Sequence, residues 1–185
     1  MTDQRIEQRV QRLEAREAIR ELIGKYGFVI DNRDIDGIGR LFTYDARFRS
    51  RDGVMDAAGR DAIVQQFHGR FVVLGPSNHF THDHLIWFDG DNDLRARGLV
   101  NSHAEVVRNH AAMWVALRYE DEYRFEDGAW RFADRLLSFF YYLPVGDYAA
   151  LLGKPDRMRA YDKPQAADYP EALDTWKQYH RGQTR

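Results

Sequence analysis

Four consecutive stretches in the second half of this 185-residue chain are long and rich in β-branched and aromatic residues. They cover residues 78–88, 94–108, 111–125 and 130–143. The breaks between them, such as residues 89–92 and 126–128, have sequences that favour tight hairpin turns. Long strands joined by hairpins predict an antiparallel sheet that twists and curves strongly.

The first 75 residues follow a different pattern, in which apolar residues recur three or four positions apart. Residues 2–30 carry one such stripe, which predicts a long amphipathic helix. Asp34 is a candidate N-cap for a short second helix, and residues 60–74 predict a third helix that stops at Gly75. Helices followed by a curved antiparallel sheet predict an α+β barrel, with the N-terminal helices packed into the sheet.

Composition and charge exclude several classes of function. The formal net charge is -2, which argues against the clustered basic surface that nucleic acids require. The chain has no cysteine, so disulfides, thiolate zinc sites and cysteine nucleophiles are excluded. The first ten residues contain no apolar stretch of the kind found in leader peptides, and no uncharged run reaches the roughly 18 residues that a spanning helix needs. We therefore expect a cytoplasmic protein with no nucleic-acid or membrane partner.

The length predicts one domain followed by an extension. Residues 1–145 contain all of the predicted helices and strands of the barrel. Residues 146–185 contain three prolines and only short helical patterns. We expect this C-terminal extension to pack on the domain or on a neighbouring subunit.

Asp31 and His79 are the candidate pair for acid–base chemistry. Asp31 lies at the predicted end of the first helix, shortly after Tyr26, and His79 lies at the start of the first long strand. A carboxylate that accepts the N–H of an imidazole fixes its tautomer and strengthens the other ring nitrogen as a base. The alternative is that Asp31 only ends a helix and His79 only begins a strand.

Three segments of the sequence carry a resemblance to a known family. Tyr26 and Asp31 lie in AIRELIGKYGFVIDNRDIDGIGRLFTYDARF, His79 lies in NHFTHDH, and YEDEYRFEDGAWRFADR follows later. These segments resemble the SnoaL-like branch of the nuclear transport factor 2-like superfamily, and the order of elements is similar over residues 8–145. The resemblance implies a cone-shaped, cystatin-like α+β barrel. The enzymes of this branch that the chain resembles are cofactor-free lyases, although other members of the superfamily lack activity.

The resemblance implies roles for five residues. His79 would remove a proton and Asp31 would orient the imidazole. Tyr26 would polarise a carbonyl or assist the leaving group, and Arg135 would stabilise the developing anion. His103 resembles a second histidine found in part of the branch, where other members have an aspartate.

Strand alternation predicts the remaining wall of the pocket. Residues two apart share a face, so Leu137, Phe139 and Tyr141 should face the cavity if Arg135 does. By the same argument Asn101 accompanies His103. The predicted substrate-binding residues are therefore Asn101, Leu137, Phe139 and Tyr141. An aromatic pocket with few polar groups suits a flat or polycyclic hydrophobic small molecule.

His82 and His84 are candidate metal ligands, because they are two residues apart and would share one face of a strand. Alternation would turn both away from His79. The sequence offers no third ligand at a suitable spacing, so we expect surface histidines and no metal site. Glycine-rich phosphate loops and nucleophile-elbow motifs are also absent, which argues against nucleotide-dependent enzymes and serine hydrolases. The resemblance implies that no cofactor is needed.

Two functions from different classes remain open at this point. The first is a cofactor-independent lyase, a dehydratase or related enzyme, that acts on a cyclic hydrophobic molecule. The second is a non-catalytic subunit or binding protein similar to the small subunit of ring-hydroxylating dioxygenases, and the fold also hosts polyketide cyclases and isomerases. In each case we expect a homo-oligomer, a trimer by resemblance, associating through an outer sheet face that carries Trp114, Ala116 and Arg118.

Overall fold

Three N-terminal helices precede four long strands, as predicted, and two further strands lie between the second and third helices. The computed structural model describes residues 2–90 and 92–183. The helices are α1 (Thr2–Asp31), α2 (Ile35–Leu41), α3 (Arg60–Val73), α4 (Tyr148–Leu151) and α5 (Asp174–Gln183), with a 3₁₀ turn at Val145–Asp147. The strands are β1 (Phe42–Ser50), β2 (Asp56–Ala58), β3 (Leu74–Asp89), β4 (Asn92–Arg108), β5 (Ala111–Glu126) and β6 (Ala129–Pro144). The predicted α+β class is confirmed.

One six-stranded sheet has the order β2-β1-β6-β5-β4-β3. The last four strands form the predicted antiparallel hairpins. The sheet is nevertheless mixed, because β1 runs parallel to β6 with Phe48 opposite Arg135. Parallel neighbours come from segments far apart in the chain, so hairpin turns contain no information about them.

The two faces of the sheet have different surroundings. The inner face, which carries Ala104, Tyr119 and Arg135, is covered by the helices, since Tyr26 of α1 packs edge-on against Tyr119. The outer face carries the alternate residues, such as Arg118. The core on the inner side is strongly aromatic; its fully buried phenylalanines are Phe42, Phe48, Phe67 and Phe132.

The segment after β6 packs on the barrel. Met158 forms isolated bridges with Tyr142 and Gln165, and the Asp168 amide donates to the Phe139 carbonyl at 2.9 Å. These contacts cover the edge of β6 beyond the point where its pairing with β1 ends. The segment thereby protects backbone groups that an uncovered strand edge would leave unpaired.

Among the described residues, none of the helices is both long enough and apolar enough to cross a membrane.

Candidate functional site

The end of α1 lies against the beginning of β3, and this contact brings Asp31 to His79. Gly27, one helical turn before Asp31, lies next to His79, since a Cβ there would be 3.4 Å from the His79 Cβ. The Nδ1 atom of His79 lies 2.7 Å from Oδ1 of Asp31. The two residues are 48 positions apart, so tertiary packing alone creates this pair.

The Asp31 carboxylate accepts three hydrogen bonds. Oδ1 accepts from the Ser77 hydroxyl and from the His79 ring, each at 2.7 Å, while Oδ2 accepts from the His79 backbone amide at 2.8 Å. Burial by itself would raise the pKa of Asp31. The hydrogen bonds from His79 and Ser77 outweigh burial, so the pKa of Asp31 is lowered and the group stays ionised.

The charge of Asp31 determines the tautomer of His79. An ionised carboxylate can only accept, so the His79 nitrogen that faces it must be protonated. When the imidazole is neutral, its Nε2 is therefore the unprotonated nitrogen that can take a proton. The side chains of His79 and Asp31 are 14% and 16% exposed to solvent, so the pair is largely buried but still accessible.

Tyr26 joins the pair from the same helix. Its ring meets the His79 ring edge-on, with 6.5 Å between centroids. The side chain is buried, and burial raises the pKa of its phenol, with Tyr119 acting in the same direction and Arg135 opposing it. Tyr26 is therefore a neutral hydrogen-bond donor over the physiological range.

Arg135 lies behind Tyr26 in a fully buried ion pair. Its Nε and Nη2 donate to the two oxygens of Asp121 at 3.0 and 3.1 Å, and both side chains have no exposed surface. The guanidinium carbon lies 3.8 to 4.1 Å from the ring centroids of Tyr26, Tyr119 and Phe132. Nη1 is buried without a partner among the described residues, so it could donate to an oxygen of a bound molecule.

His84 extends this network from β3. The Tyr123 hydroxyl donates to Asp121 at 2.9 Å and lies 3.1 Å from Nε2 of His84. Because the hydroxyl proton is used toward Asp121, Nε2 of His84 must be the donor in that contact. Burial lowers the pKa of His84 to about 4, and the positive charge of Arg135 acts in the same direction. His84 is therefore neutral at physiological pH.

The prediction that His84 faces away from His79 is wrong. The pairing of β3 with β4 shifts register between Thr81 and His84. His79 opposes Ala104 and His84 opposes Val100, and both of these β4 residues are buried on the inner face. A bulge adds a residue to one strand and thereby reverses the alternation after it.

Three of the predicted site residues lie on the outer face. His103 opposes Phe80 and Ala116, and its ring lies 6.4 Å from that of Tyr141. Asn101 accepts a hydrogen bond from Arg118 on the same face. The structure thus does not bring His103, Asn101 or Tyr141 to the Asp31–His79 pair.

Another register shift explains the error for Tyr141. Leu117 opposes Phe139 while Ala116 opposes Tyr141, so the strands shift by one residue between these pairs. Leu137 and Phe139 remain buried on the inner face with Arg135 as predicted, but Tyr141 turns outward. The alternation argument fails only where the ladder is irregular.

A cavity of about 710 Å³ lies on the outer face, away from the pair. Its walls combine sheet arginines such as Arg49 and Arg118 with Tyr169 and Leu173 of the C-terminal segment. Asp31 and His79 do not line it. Within the part of the chain that the structure describes, no group of three or more histidine and acidic side chains could hold a metal ion.

Sequence reasoning missed most of the polar partners. Ser77 and His84 were not assigned to the site, nor were the three residues of β5 at alternate positions, Tyr119, Asp121 and Tyr123. A signal for the β5 residues was available. The three residues are two positions apart, so their side chains share one face of the strand. An acidic side chain between two tyrosines on a buried face indicates that a positively charged residue pairs with it.

Comparison with known proteins yields one family. The model of the SnoaL-like domain family matches residues 11–136. No functionally curated protein matches the chain significantly.

Several solved structures are similar to this fold. A protein from Novosphingobium aromaticivorans, provisionally assigned as a scytalone dehydratase, is 19% identical with a TM-score of 0.67, covering 91% of this chain and 96% of that chain. A hexachlorocyclohexane dehydrochlorinase from Novosphingobium barchaimii is 18% identical with a TM-score of 0.65, covering 74% and 93%. A provisionally assigned aromatic ring hydroxylase from Novosphingobium aromaticivorans is 25% identical with a TM-score of 0.65, covering 74% and 97%.

Proposed function

This chain belongs to the SnoaL-like domain family, and from that premise we propose that it is a cofactor-independent lyase. It would remove water or another small leaving group from a cyclic, hydrophobic small molecule. The observation that carries the proposal is the 2.7 Å contact between Asp31 and His79, which leaves Nε2 of His79 free to act as a base. The likeness to a dehydrochlorinase and to a protein assigned as a dehydratase agrees with this class of reaction.

In the proposed reaction His79 takes a proton from a substrate carbon next to a carbonyl or an activated ring. The electron pair of the C–H bond forms the new double bond, and the leaving group departs with the pair from its own bond. Asp31 stabilises the imidazolium that forms. A hydroxide leaving group takes up the imidazolium proton, so water is released and neutral His79 is regenerated.

Tyr26 and Arg135 would stabilise the charge that develops on the substrate. The Tyr26 phenol stays protonated and can donate to a carbonyl oxygen. Nη1 of Arg135 is a buried donor without a protein partner, although Asp121 neutralises the guanidinium charge. Donors held in a buried site stabilise a developing oxyanion more strongly than donors in water do.

The test is a mutant cycle on a panel of cyclic hydroxy-ketones and halogenated ring compounds. His79→Ala should reduce turnover about 10²- to 10⁴-fold, the contribution of a general base. Asp31→Asn should also reduce turnover strongly, and combining the two should cost little more, because residues that act as one unit are non-additive.

His103→Ala is the matched control for this cycle, since His103 lies on the outer face and should not affect turnover. Full activity in His79→Ala, or additive losses in the double variant, would contradict the proposed dyad.

The likeness to a protein assigned as an aromatic ring hydroxylase favours one other function. A supporting subunit of an oxygenase would have no turnover of its own. Such a subunit should copurify with an iron-containing chain or be unstable alone. A lyase should instead remain folded and active as a single purified component.

We also infer that the protein assembles as a homo-oligomer, a trimer by resemblance, through the outer face. Trp114 and Arg118 of that face already pack against Tyr148 and Tyr169 of the C-terminal segment. The assembly surface would therefore include this segment. A strictly monomeric species in light scattering at micromolar concentration would contradict the inference.

A further inference from the structure

Arg33 has a backbone conformation that arginine rarely adopts. Its φ is 59°, in the left-handed region. The amide of Asp34 donates to the Val29 carbonyl at 3.0 Å and that of Arg33 to the Ile30 carbonyl at 3.2 Å, which is the Schellman pattern for a helix end. Glycine is usual at the left-handed position of this motif, because a Cβ there comes too close to the backbone. The arginine side chain must therefore supply compensating contacts.

Those contacts join the end of α1 to the beginning of β3. Nη1 of Arg33 donates to the Ile30 carbonyl at 3.0 Å, and Nη2 donates to the carbonyls of Leu74, at 3.1 Å, and Gly75. The guanidinium carbon also lies 4.1 Å from the Phe71 ring centroid. The planar guanidinium holds its donors in a fixed fork that matches these carbonyls, whereas a lysine ammonium is a compact point charge with three donors on a flexible stem.

The same guanidinium reaches the dyad through Ser77. Nη1 lies 3.3 Å from the Ser77 hydroxyl oxygen, and that hydroxyl lies 2.7 Å from Oδ1 of Asp31. Arginine has no acceptor, so the Ser77 oxygen must accept from Arg33. The hydroxyl proton is then directed to the Asp31 carboxylate, which also holds Nδ1–H of His79.

We propose that Arg33 is a positioning residue for the Asp31–His79 dyad. It fixes the spacing between the helix end that carries Asp31 and the strand that carries His79, and it orients the Ser77 hydroxyl that holds the carboxylate. The consequence is a single Nδ1–H tautomer of His79, with Nε2 available as the base. The functional meaning of this role rests on the proposed lyase activity, but the tautomer can be measured without a substrate.

The test uses protein labelled with ¹⁵N in histidine and long-range ¹H–¹⁵N correlation spectra in mildly alkaline buffer. The His79 signals are assigned by their loss in His79→Gln. The wild type should give the Nδ1–H tautomer alone. Arg33→Gly suits the left-handed backbone but removes the guanidinium, and Arg33→Lys keeps the charge but not the fork. Both variants should give a mixture of the two tautomers, and so should Ser77→Ala.

Arg16→Lys is the matched control. Arg16 also joins α1 to β3, since its Nη1 donates to the Ile86 carbonyl at 3.0 Å and its guanidinium carbon lies 5.4 Å from the Phe88 ring centroid. It precedes Asp31 by 15 residues of helix, which is about 22 Å. Arg16→Lys should leave the His79 tautomer unchanged.

A single Nδ1–H tautomer in both folded Arg33 variants would overturn the proposal. If Arg33→Gly does not fold, Arg33→Lys decides alone. An equal change in Arg16→Lys would also overturn it, because general loosening of α1 would then explain the result. If the tautomer changes as expected while His79→Ala retains turnover, the positioning role stands and the proposed lyase function fails.

Discussion

The Asp31 carboxylate accepts hydrogen bonds from both the backbone amide and the ring of His79, at 2.8 and 2.7 Å. One side chain of α1 therefore fixes both the main chain and the imidazole of the same β3 residue. This double contact links the stability of the fold to the protonation of Asp31.

The first prediction concerns stability in acid. The folded-state pKa of Asp31 is lowered, because hydrogen bonds from His79 and Ser77 outweigh burial. The ionised form therefore contributes stability above the unfolded-state pKa of about 3.9, and the contribution is lost as pH falls through the lower folded-state value. The difference in unfolding free energy between wild type and Asp31→Asn should shrink over that acid range in urea titrations. Asp61→Asn, on the exposed first turn of α3, controls for the loss of one negative charge.

The second prediction concerns the buried pair of Arg135 and Asp121. Arg135→Met leaves a buried carboxylate without its partner and should cost about 3–5 kcal/mol in unfolding free energy. The double variant Arg135→Met/Asp121→Leu should recover much of this loss, because it removes both charges. Arg49→Met breaks the partly exposed pair with Asp134 and should cost at most about 1 kcal/mol. Equal losses of unfolding free energy in Arg135→Met and Arg49→Met would contradict the argument that burial makes the loss of Arg135 more costly.

The third prediction concerns the space beside Tyr123. A Cβ at Gly98 would lie 2.6 Å from the Tyr123 hydroxyl and 3.0 Å from Nε2 of His84, and Tyr123 is buried. Gly98→Ala should therefore lower the unfolding free energy by about 1–3 kcal/mol through overpacking. Gly24→Ala adds a methyl group within α1 with no neighbour within 4 Å, and should raise it by up to about 1 kcal/mol. Thermal unfolding of both variants checks the opposite signs.

The fourth prediction concerns the C-terminal segment. Arg157 is almost fully buried and donates to the carbonyls of Phe140 and Tyr169 and to both oxygens of Glu171. Arg157→Ala should release this segment and increase its cleavage in limited proteolysis. Arg159→Ala breaks only a neighbouring ion pair with Asp156 and should leave the cleavage rate close to that of the wild type. Unchanged cleavage in Arg157→Ala would show that other contacts hold the segment.

Local sequence patterns were sufficient for the three N-terminal helices and the four long strands. Apolar spacing in residues 2–30 predicts α1, and the turn sequences around residues 89–92 and 126–128 predict the hairpins of β3 to β6. These features depend on neighbours along the chain. The resemblance carried by Tyr26, Asp31 and His79 also indicated the family, which the family model confirms over residues 11–136.

Other features needed the tertiary structure. The parallel pairing of β1 with β6 joins segments about 90 residues apart, and no local signal specifies it. The register shifts beside Thr81 and Leu117 turn His84 inward and Tyr141 outward, because one inserted residue reverses the alternation of a strand. The sequence alone determined which residue types were available for chemistry. The tertiary structure decided which of these residues meet, through the packing of α1 across β3 and through the register shifts. Sequence periodicity predicts the face on which a side chain lies, but it does not predict which side chains of other elements lie near it.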